Sequence, residues 1–100
     1  MTVVIAGTFQ IDPEDRDAFL TAAKAVMADT HKEAGCQAYN FAPDINDPGV
    51  VHLFEKWDNE AALGPHMKSD HIRTFGRALK ELKITGRSIT MYEVASEKNM

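Results

Sequence analysis

Two histidines, a tryptophan and a glutamate lie close together in the middle of this sequence. Glu55 and Trp57 belong to a segment typical of a β-strand, and His66 and His71 flank the start of a helical segment. An unperturbed imidazole titrates near neutral pH and can therefore act as a general base. An indole can stack on an aromatic ring and donate one N–H group. These side chains predict a site that binds a small organic molecule and accepts a proton from it.

The same residues allow a metal site as an alternative. Glu55, His66 and His71 form a two-histidine, one-carboxylate set of the kind that binds transition metals. The two histidines are five residues apart, however, whereas a zinc-binding pair on one helical face has i, i+4 spacing. Because the spacing fits poorly, we expect no metal ligands among them.

Hydrophobic periodicity predicts the elements that must position these residues. The predicted order is a strand over Val3–Ile11, a helix over about 13–33, strands over Cys36–Ala42 and Val50–Trp57, short and long helices over about 59–63 and 70–84, and a strand over Ser88–Val94. This β-α-β-β-α-β order predicts a ferredoxin-like α+β fold, with a four-stranded antiparallel sheet and the helices on one face. Residues 1–100 are expected to form a single domain with a polar tail over about 96–100.

Aspartate, proline and glycine predict where the two later helices begin and end. Asp58 is the expected N-cap of the short helix, since its carboxylate can accept a first-turn N–H group. Gly64–Pro65 is expected to break that helix because proline removes a backbone donor. Gly86 is the expected stop of the long helix.

The sheet face away from the helices is predicted to be apolar. Its expected side chains are those of Val4, Ala6, His52, Phe54, Tyr92 and Val94. A soluble chain rarely leaves so much apolar surface in water. We therefore expect a homodimer in which two sheets pack face to face about a two-fold axis.

Composition argues against several classes of partner. The net charge is −4, whereas nucleic-acid and anionic-membrane binding need a basic surface. No apolar run approaches the roughly 20 residues of a membrane span, and no signal peptide is visible. We therefore expect a cytoplasmic protein without nucleic-acid or membrane partners.

The lone Cys36 excludes an intrachain disulfide, and an activated thiolate is not expected there.

Two segments of the sequence resemble the antibiotic biosynthesis monooxygenase (ABM) domain family. Glu33–Tyr39 resembles its E-x-G-C-x-x-Y segment. The other segment resembles its E-x-W…A-L-x-x-H-x-x-S-x-H pattern through Phe54–Trp57, Ala61–Leu63, His66, Ser69 and His71. The resemblance implies a dimeric α+β barrel. The family's activities include cofactor-independent oxidation of quinols and polyketide phenols, haem degradation, and isomerisation of a signalling molecule. Gly7–Thr8 stands where haem-degrading members carry an asparagine, which disfavours haem.

We expect a cofactor-free monooxygenase that oxidises a small aromatic or quinol-like molecule with O₂. A deprotonated phenol can reduce O₂ itself, so the protein need supply only a base and a dry pocket. His66 is the first candidate for the base and His71 the second. Trp57 would stack on the substrate ring, and Glu55 would orient a histidine or hold a substrate hydroxyl.

The pocket is expected to lie between the sheet and the helices of each subunit. Besides the four residues above, its expected substrate-binding residues are Tyr39, Phe75 and Gly7. Gly7 has a second explanation, since its small size can serve strand packing instead of a ligand. The alternative function is non-oxidative, either isomerisation of a small metabolite or ligand binding by a dimer without catalysis.

Three acidic or basic positions have plain structural explanations. Glu55 can form an ion pair with an arginine of the long helix, Arg73 or Arg77. Glu33 and His31 lie near the end of the first predicted helix and are expected to be solvated.

Overall fold

Four antiparallel strands form one sheet, and the helices cover a single face of it. The computed structural model describes residues 1–100. Its strands are β1 (Val3–Ile11), β2 (Cys36–Pro43), β3 (Val50–Trp57) and β4 (Ile84–Glu93), and its helices are α1 (Arg16–Thr30), α2 (Leu63–Met67) and α3 (Asp70–Lys80). The strand order is β2-β3-β1-β4, so the predicted ferredoxin-like α+β fold is confirmed. None of the helices has the length and apolar character that crossing a bilayer requires.

The core lies between the helices and one face of the sheet. In β3 the odd-numbered residues from Val51 onward are buried, whereas His52 and Phe54 are exposed on the opposite face, as a period of two requires. Four phenylalanines from β1, α1, β2 and α3 meet in the core with neighbouring ring centroids 5.4 to 6.0 Å apart: Phe9, Phe19, Phe41 and Phe75. This aromatic layer joins both long helices to the sheet.

Gly7 lies in the middle of β1, opposite Ile89 of β4. A Cβ atom added to Gly7 would clash with the carbonyl oxygen of Ser88 and lie 2.7 Å from the Cα atom of Ile89. Backbone atoms cannot move aside as a flexible side chain can. The structure therefore gives Gly7 a packing role between β1 and β4.

The helical segment after β3 differs from the expected one at both its cap and its break. Asn59, rather than Asp58, caps the 3₁₀ turn Glu60–Ala62, because its side chain accepts a backbone hydrogen bond of 3.0 Å. The chain then continues as α2 through Gly64–Pro65, so the predicted break there is wrong. Pro65 lies in the first turn of α2, where a missing N–H group costs the helix no internal bond.

The long helix ends earlier than expected. α3 ends at Lys80 rather than near residue 84, and Gly86 lies inside β4 instead of stopping a helix. The N–H group of Lys83 donates to the Asp15 carboxylate (2.8 Å), and its carbonyl accepts from the N–H group of Asp12 (2.9 Å). Because both backbone groups of Lys83 are held by the segment after β1, β4 begins four residues before the predicted Ser88.

The open face of the sheet carries apolar side chains, as expected. Val4 pairs with Tyr92 across β1 and β4, and Ala6 pairs with Phe54 across β1 and β3. The side chains of Phe54 and Tyr92 are 43% and 54% exposed in the single chain. These four side chains lie next to one another, and Lys56 and Thr90 pair with Val4 and Ala6 on the same face.

Replacing Gly7 by alanine tests the close approach of β1 and β4. We expect Gly7→Ala to lower the free energy of unfolding by about 1–3 kcal/mol, because the added methyl group meets backbone that must shift. Gly76→Ala is the matched control, since a Cβ atom at Gly76 in α3 has no neighbour within 4 Å. That variant should be stabilised by about 0.5–1 kcal/mol. Urea unfolding measures both, and an unchanged midpoint for Gly7→Ala would contradict the packing role.

Candidate functional site

One carboxylate and two imidazoles from three separate segments meet at the end of the helical layer. The Oε2 atom of Glu33 lies 2.7 Å from Nδ1 of His66 and 2.8 Å from Nε2 of His71. An ionised carboxylate can only accept hydrogen bonds. Each ring must therefore carry a proton on the nitrogen that faces Glu33. We call these three residues the Glu-His-His cluster.

Local structure explains why the three side chains converge. α1 ends at Thr30, three residues before the predicted end, so Glu33 lies in a loop and not in a helix. Gly35 has a φ of 84°, a left-handed conformation that glycine adopts without strain. The hydroxyl of Ser69 donates to the carbonyl of His66 (2.7 Å) and accepts from the N–H group of Ile72 (3.3 Å). Ser69 thereby links α2 to the first turn of α3, where His71 lies.

The cluster is mostly shielded from solvent. The side chain of His66 is 2% exposed, and those of Glu33 and His71 are 16% and 19% exposed. Partial burial raises the pKa of Glu33, but the hydrogen bonds from the two histidines outweigh it and hold this pKa below its ordinary value. Glu33 is therefore ionised at neutral pH. The expectation that it is simply solvated is wrong.

His66 also contacts an aromatic pair on the sheet. Its ring centroid lies 4.9 Å from that of Trp57 and 5.2 Å from that of Tyr39. The indole N–H group of Trp57 donates to Oε1 of Glu55 (2.9 Å). A row of neighbouring groups thus runs from Glu55 through Trp57 and His66 to the cluster.

Burial sets the protonation of the groups on the sheet side of this row. It raises the pKa of Glu55, while the indole hydrogen bond and the nearby His66 act in the opposite direction. It also raises the pKa of Tyr39, so that side chain remains a neutral phenol. Burial and the nearby carboxylates of Glu33 and Glu55 raise the pKa of Cys36 as well. Its thiol is therefore not activated, as expected.

Glu55 does not form the ion pair with Arg73 or Arg77 that the sequence allowed. Its hydrogen-bond partner is Trp57. Arg73 instead lies 3.2 Å from the carboxylate of Asp70, and Arg77 forms no ion pair within 4.0 Å. The buried carboxylate of Glu55 therefore has no lysine or arginine within ion-pair distance.

A cleft between α1 and α3 opens next to the cluster. Its volume is about 320 Å³. The residues that line it are Ala22, Ala25, Val26, Asp29, Asp70, His71, Thr74, Phe75 and Ala78. Of the predicted pocket residues, His71 and Phe75 thus reach this cleft. Tyr39, Glu55, Trp57 and His66 are buried in the layer below it, and Gly7 packs against β4.

Sequence reasoning missed Glu33 as a member of the site. It lies 33 and 38 residues before its two histidine partners, so no local spacing connects them. The one available signal was its place at the start of the E-x-G-C segment. His31, also expected to be solvated, is 2.7 Å from the carbonyl oxygen of Tyr39 through Nε2 and does not join the cluster.

Known proteins resemble this chain over most of its length. A family model described as "Antibiotic biosynthesis monooxygenase" matches residues 2–78. The Bacillus subtilis protein "Putative monooxygenase YcnE" is 28% identical over 80 residues, which are 80% of this chain and 84% of that protein. The Mycobacterium tuberculosis protein "Putative monooxygenase Rv0793" is 27% identical over 89 residues, which are 89% of this chain and 87% of that protein.

A solved structure with a similar description has the same fold as this chain. The Deinococcus radiodurans structure described as a "putative antibiotic biosynthesis monooxygenase" matches with a TM-score of 0.88 at 28% sequence identity. The match covers 98% of this chain and 97% of that one. The region matched by the family model, residues 2–78, includes Glu33, His66 and His71.

The raised pKa of Glu55 leads to a prediction about stability. A charged Glu55 costs folding free energy above its folded pKa, and this cost is absent at pH values below 4.5, where the unfolded carboxyl is also protonated. Glu55→Gln removes the charge and keeps an oxygen that can accept from Trp57. We expect it to be more stable than the wild type at pH 7, by an amount on the order of 1 kcal/mol, with a smaller difference at pH 4.5.

Urea unfolding at several pH values measures this difference. Glu97→Gln serves as the control, because its side chain is 56% exposed and removing an exposed charge has little effect. A stability difference for Glu55→Gln that is the same at pH 4.5 and pH 7 would contradict the role of burial.

Proposed function

We propose, because the chain belongs to the antibiotic biosynthesis monooxygenase family, that it oxidises a small quinol or polyphenol with O₂. The observation that carries this proposal is the position of His71. His71 lines the α1–α3 cleft, and its Nε2 atom is hydrogen-bonded to the largely shielded carboxylate of Glu33. A base that faces a cavity and is oriented by a third group is the usual arrangement for proton abstraction.

The cleft suits a small, flat and uncharged ring. A volume of about 320 Å³ is at the lower end for small-molecule sites, so one or two fused rings fit better than four. Alanine side chains and the ring of Phe75 supply an apolar part of the lining, Thr74 adds a hydroxyl, and Asp29 and Asp70 add carboxylates. The apolar part of the lining supports stacking on a bound ring.

The Nδ1 atom of His71 is free to accept a proton. Since Nε2 donates to Glu33, a neutral His71 carries its lone pair on Nδ1. No hydrogen bond within the chain engages Nδ1. In the proposed reaction Nδ1 takes the proton of a substrate hydroxyl, and the Glu33 carboxylate stabilises the imidazolium that forms. His66 bonds the same oxygen and keeps Glu33 in place.

This assignment reverses the order of the two histidines given by sequence. His66 is 2% exposed and packs between Trp57 and Tyr39, so it supports the cluster from below. Trp57 likewise has a supporting role, because it packs on His66 and donates a hydrogen bond to Glu55. It does not stack on the substrate in this proposal.

The overall reaction needs no external reductant. A hydroquinone and O₂ give a hydroxyquinone and water, and this equation balances in atoms and electrons. The substrate anion supplies the electrons, one oxygen atom enters the ring, and the other leaves as water. The protein binds the ring, removes its hydroxyl proton and excludes solvent.

Oxygen consumption tests the proposal. Purified protein should consume O₂ with a reduced naphthoquinone or an anthrone faster than buffer does. His71→Ala and Glu33→Gln should each reduce kcat/KM by about 100-fold, the range of a lost general base. His31→Ala should retain activity, because His31 neither lines the cleft nor joins the cluster. If a panel of such phenols reacts no faster than in buffer, the non-oxidative alternative replaces this one.

We also propose that the active species is a homodimer joined through the open faces of its sheets. Phe54 and Tyr92 form the centre of an apolar surface in the single chain, and a second copy presents an identical surface. Two such sheets can pack about 10 Å apart. The helical layer and its cleft would then face outward on both subunits.

Light scattering after size-exclusion chromatography tests the dimer. We expect the wild type to have twice the mass of the 11.1 kDa chain and Phe54→Arg to be largely monomeric, because it buries a charge without a partner. Met67→Arg is the control, since Met67 is 64% exposed but belongs to α2 on the helical side. A wild-type protein with the mass of one chain would disprove this arrangement.

A further inference from the structure

The Glu-His-His cluster brings together three atoms that commonly bind metals. Oε2 of Glu33, Nδ1 of His66 and Nε2 of His71 all lie within 4.8 Å of one another. They belong to the loop after α1, to α2 and to α3. Their convergence is therefore a product of the tertiary fold and not of helical spacing.

The charge of the cluster is incompletely balanced. Only histidines lie within ion-pair distance of the Glu33 carboxylate, and an imidazole is a cation only when it is protonated. A divalent ion would supply the missing positive charge.

The cluster is also accessible from two sides of the helical layer. The α1–α3 cleft reaches His71. A second depression of about 450 Å³ reaches Glu33 between the loop before β2 and the 3₁₀ turn Glu60–Ala62. An ion can therefore enter, and a water molecule or another ligand can complete its coordination.

We propose that Glu33, His66 and His71 bind one divalent transition-metal ion, and that Zn²⁺ is the ion this ligand set fits. Two imidazoles, a carboxylate and one open position make a common zinc arrangement. With tetrahedral bonds of about 2.1 Å, neighbouring ligand atoms lie roughly 3.4 Å apart. The present nitrogen–oxygen distances are 2.7 and 2.8 Å, and all three atoms lie within 4.8 Å of one another, so side-chain rotations must adjust both kinds of separation to reach that geometry. Glu33 thus takes the place of Glu55 in the two-histidine, one-carboxylate set that the sequence offered and that the histidine spacing disfavoured.

Zinc binding has a consequence for the proposed base. An ion on Nε2 of His71 requires the ring proton to lie on Nδ1, the atom that would accept the substrate proton. Zn²⁺ is therefore expected to inhibit oxidation of the quinol. This consequence rests on the proposed function, whereas the binding does not.

Titration of untagged, chelator-treated protein tests the site. Co²⁺ should give visible absorption bands that saturate at one ion per chain, and Zn²⁺ should displace them. Zn²⁺ should also raise the melting temperature, because it binds the folded state. Glu33→Gln and His71→Asn should each weaken Zn²⁺ binding more than about 10-fold by calorimetry, since each removes one of three ligands.

The matched control is another histidine–carboxylate pair. His52 and Asp44 lie 2.8 Å apart but belong to no three-ligand group. His52→Ala should keep the full Zn²⁺ affinity. The metal site is disproved if Co²⁺ gives no saturable bands, or if Glu33→Gln and His71→Asn bind as the wild type does while remaining folded by circular dichroism. Quinol oxidation is measured in a separate assay. A failure of zinc binding therefore does not disprove the oxidation, and a failure of oxidation does not disprove the zinc site.

Discussion

A single carboxylate oxygen, Oε2 of Glu33, joins the three segments on which the candidate site depends. It accepts hydrogen bonds from His66 and His71 at 2.7 and 2.8 Å. These two bonds fix the loop after α1 against α2 and α3. They also determine which nitrogen of each ring carries a proton. The chemistry left to either histidine is therefore set by one shared acceptor and not by the histidines alone.

Two glutamates near His66 have pKa values that are shifted in opposite directions. Burial raises the pKa of Glu55, which has an indole N–H as its partner. The histidine hydrogen bonds lower the pKa of Glu33 against its own burial. The carboxylate of Glu33, close to the cleft, therefore stays ionised to lower pH than the carboxylate of Glu55 on the sheet. Sites that separate the pKa values of similar groups in this way are well suited to acid–base work.

The fold followed from local patterns, whereas the cluster did not. Alternation in β3 and helical spacing in α3 are visible within a few residues, so the order of elements could be predicted. The end of α3 could not, because Lys83 is held by Asp12 and Asp15, which lie far away in sequence. Glu33 was missed for the same reason. Its role depends on partners that only the folded chain brings near.

The cleft between α1 and α3 has three alanines in its lining, Ala22, Ala25 and Ala78. A methyl group is the smallest side chain that a helix can present apart from glycine's hydrogen atom. Substitution at these three positions can shrink the cleft but can barely enlarge it. An engineer seeking bulkier ligands would therefore have to shorten the larger lining residues, Val26, Thr74 and Phe75, or move the two helices apart.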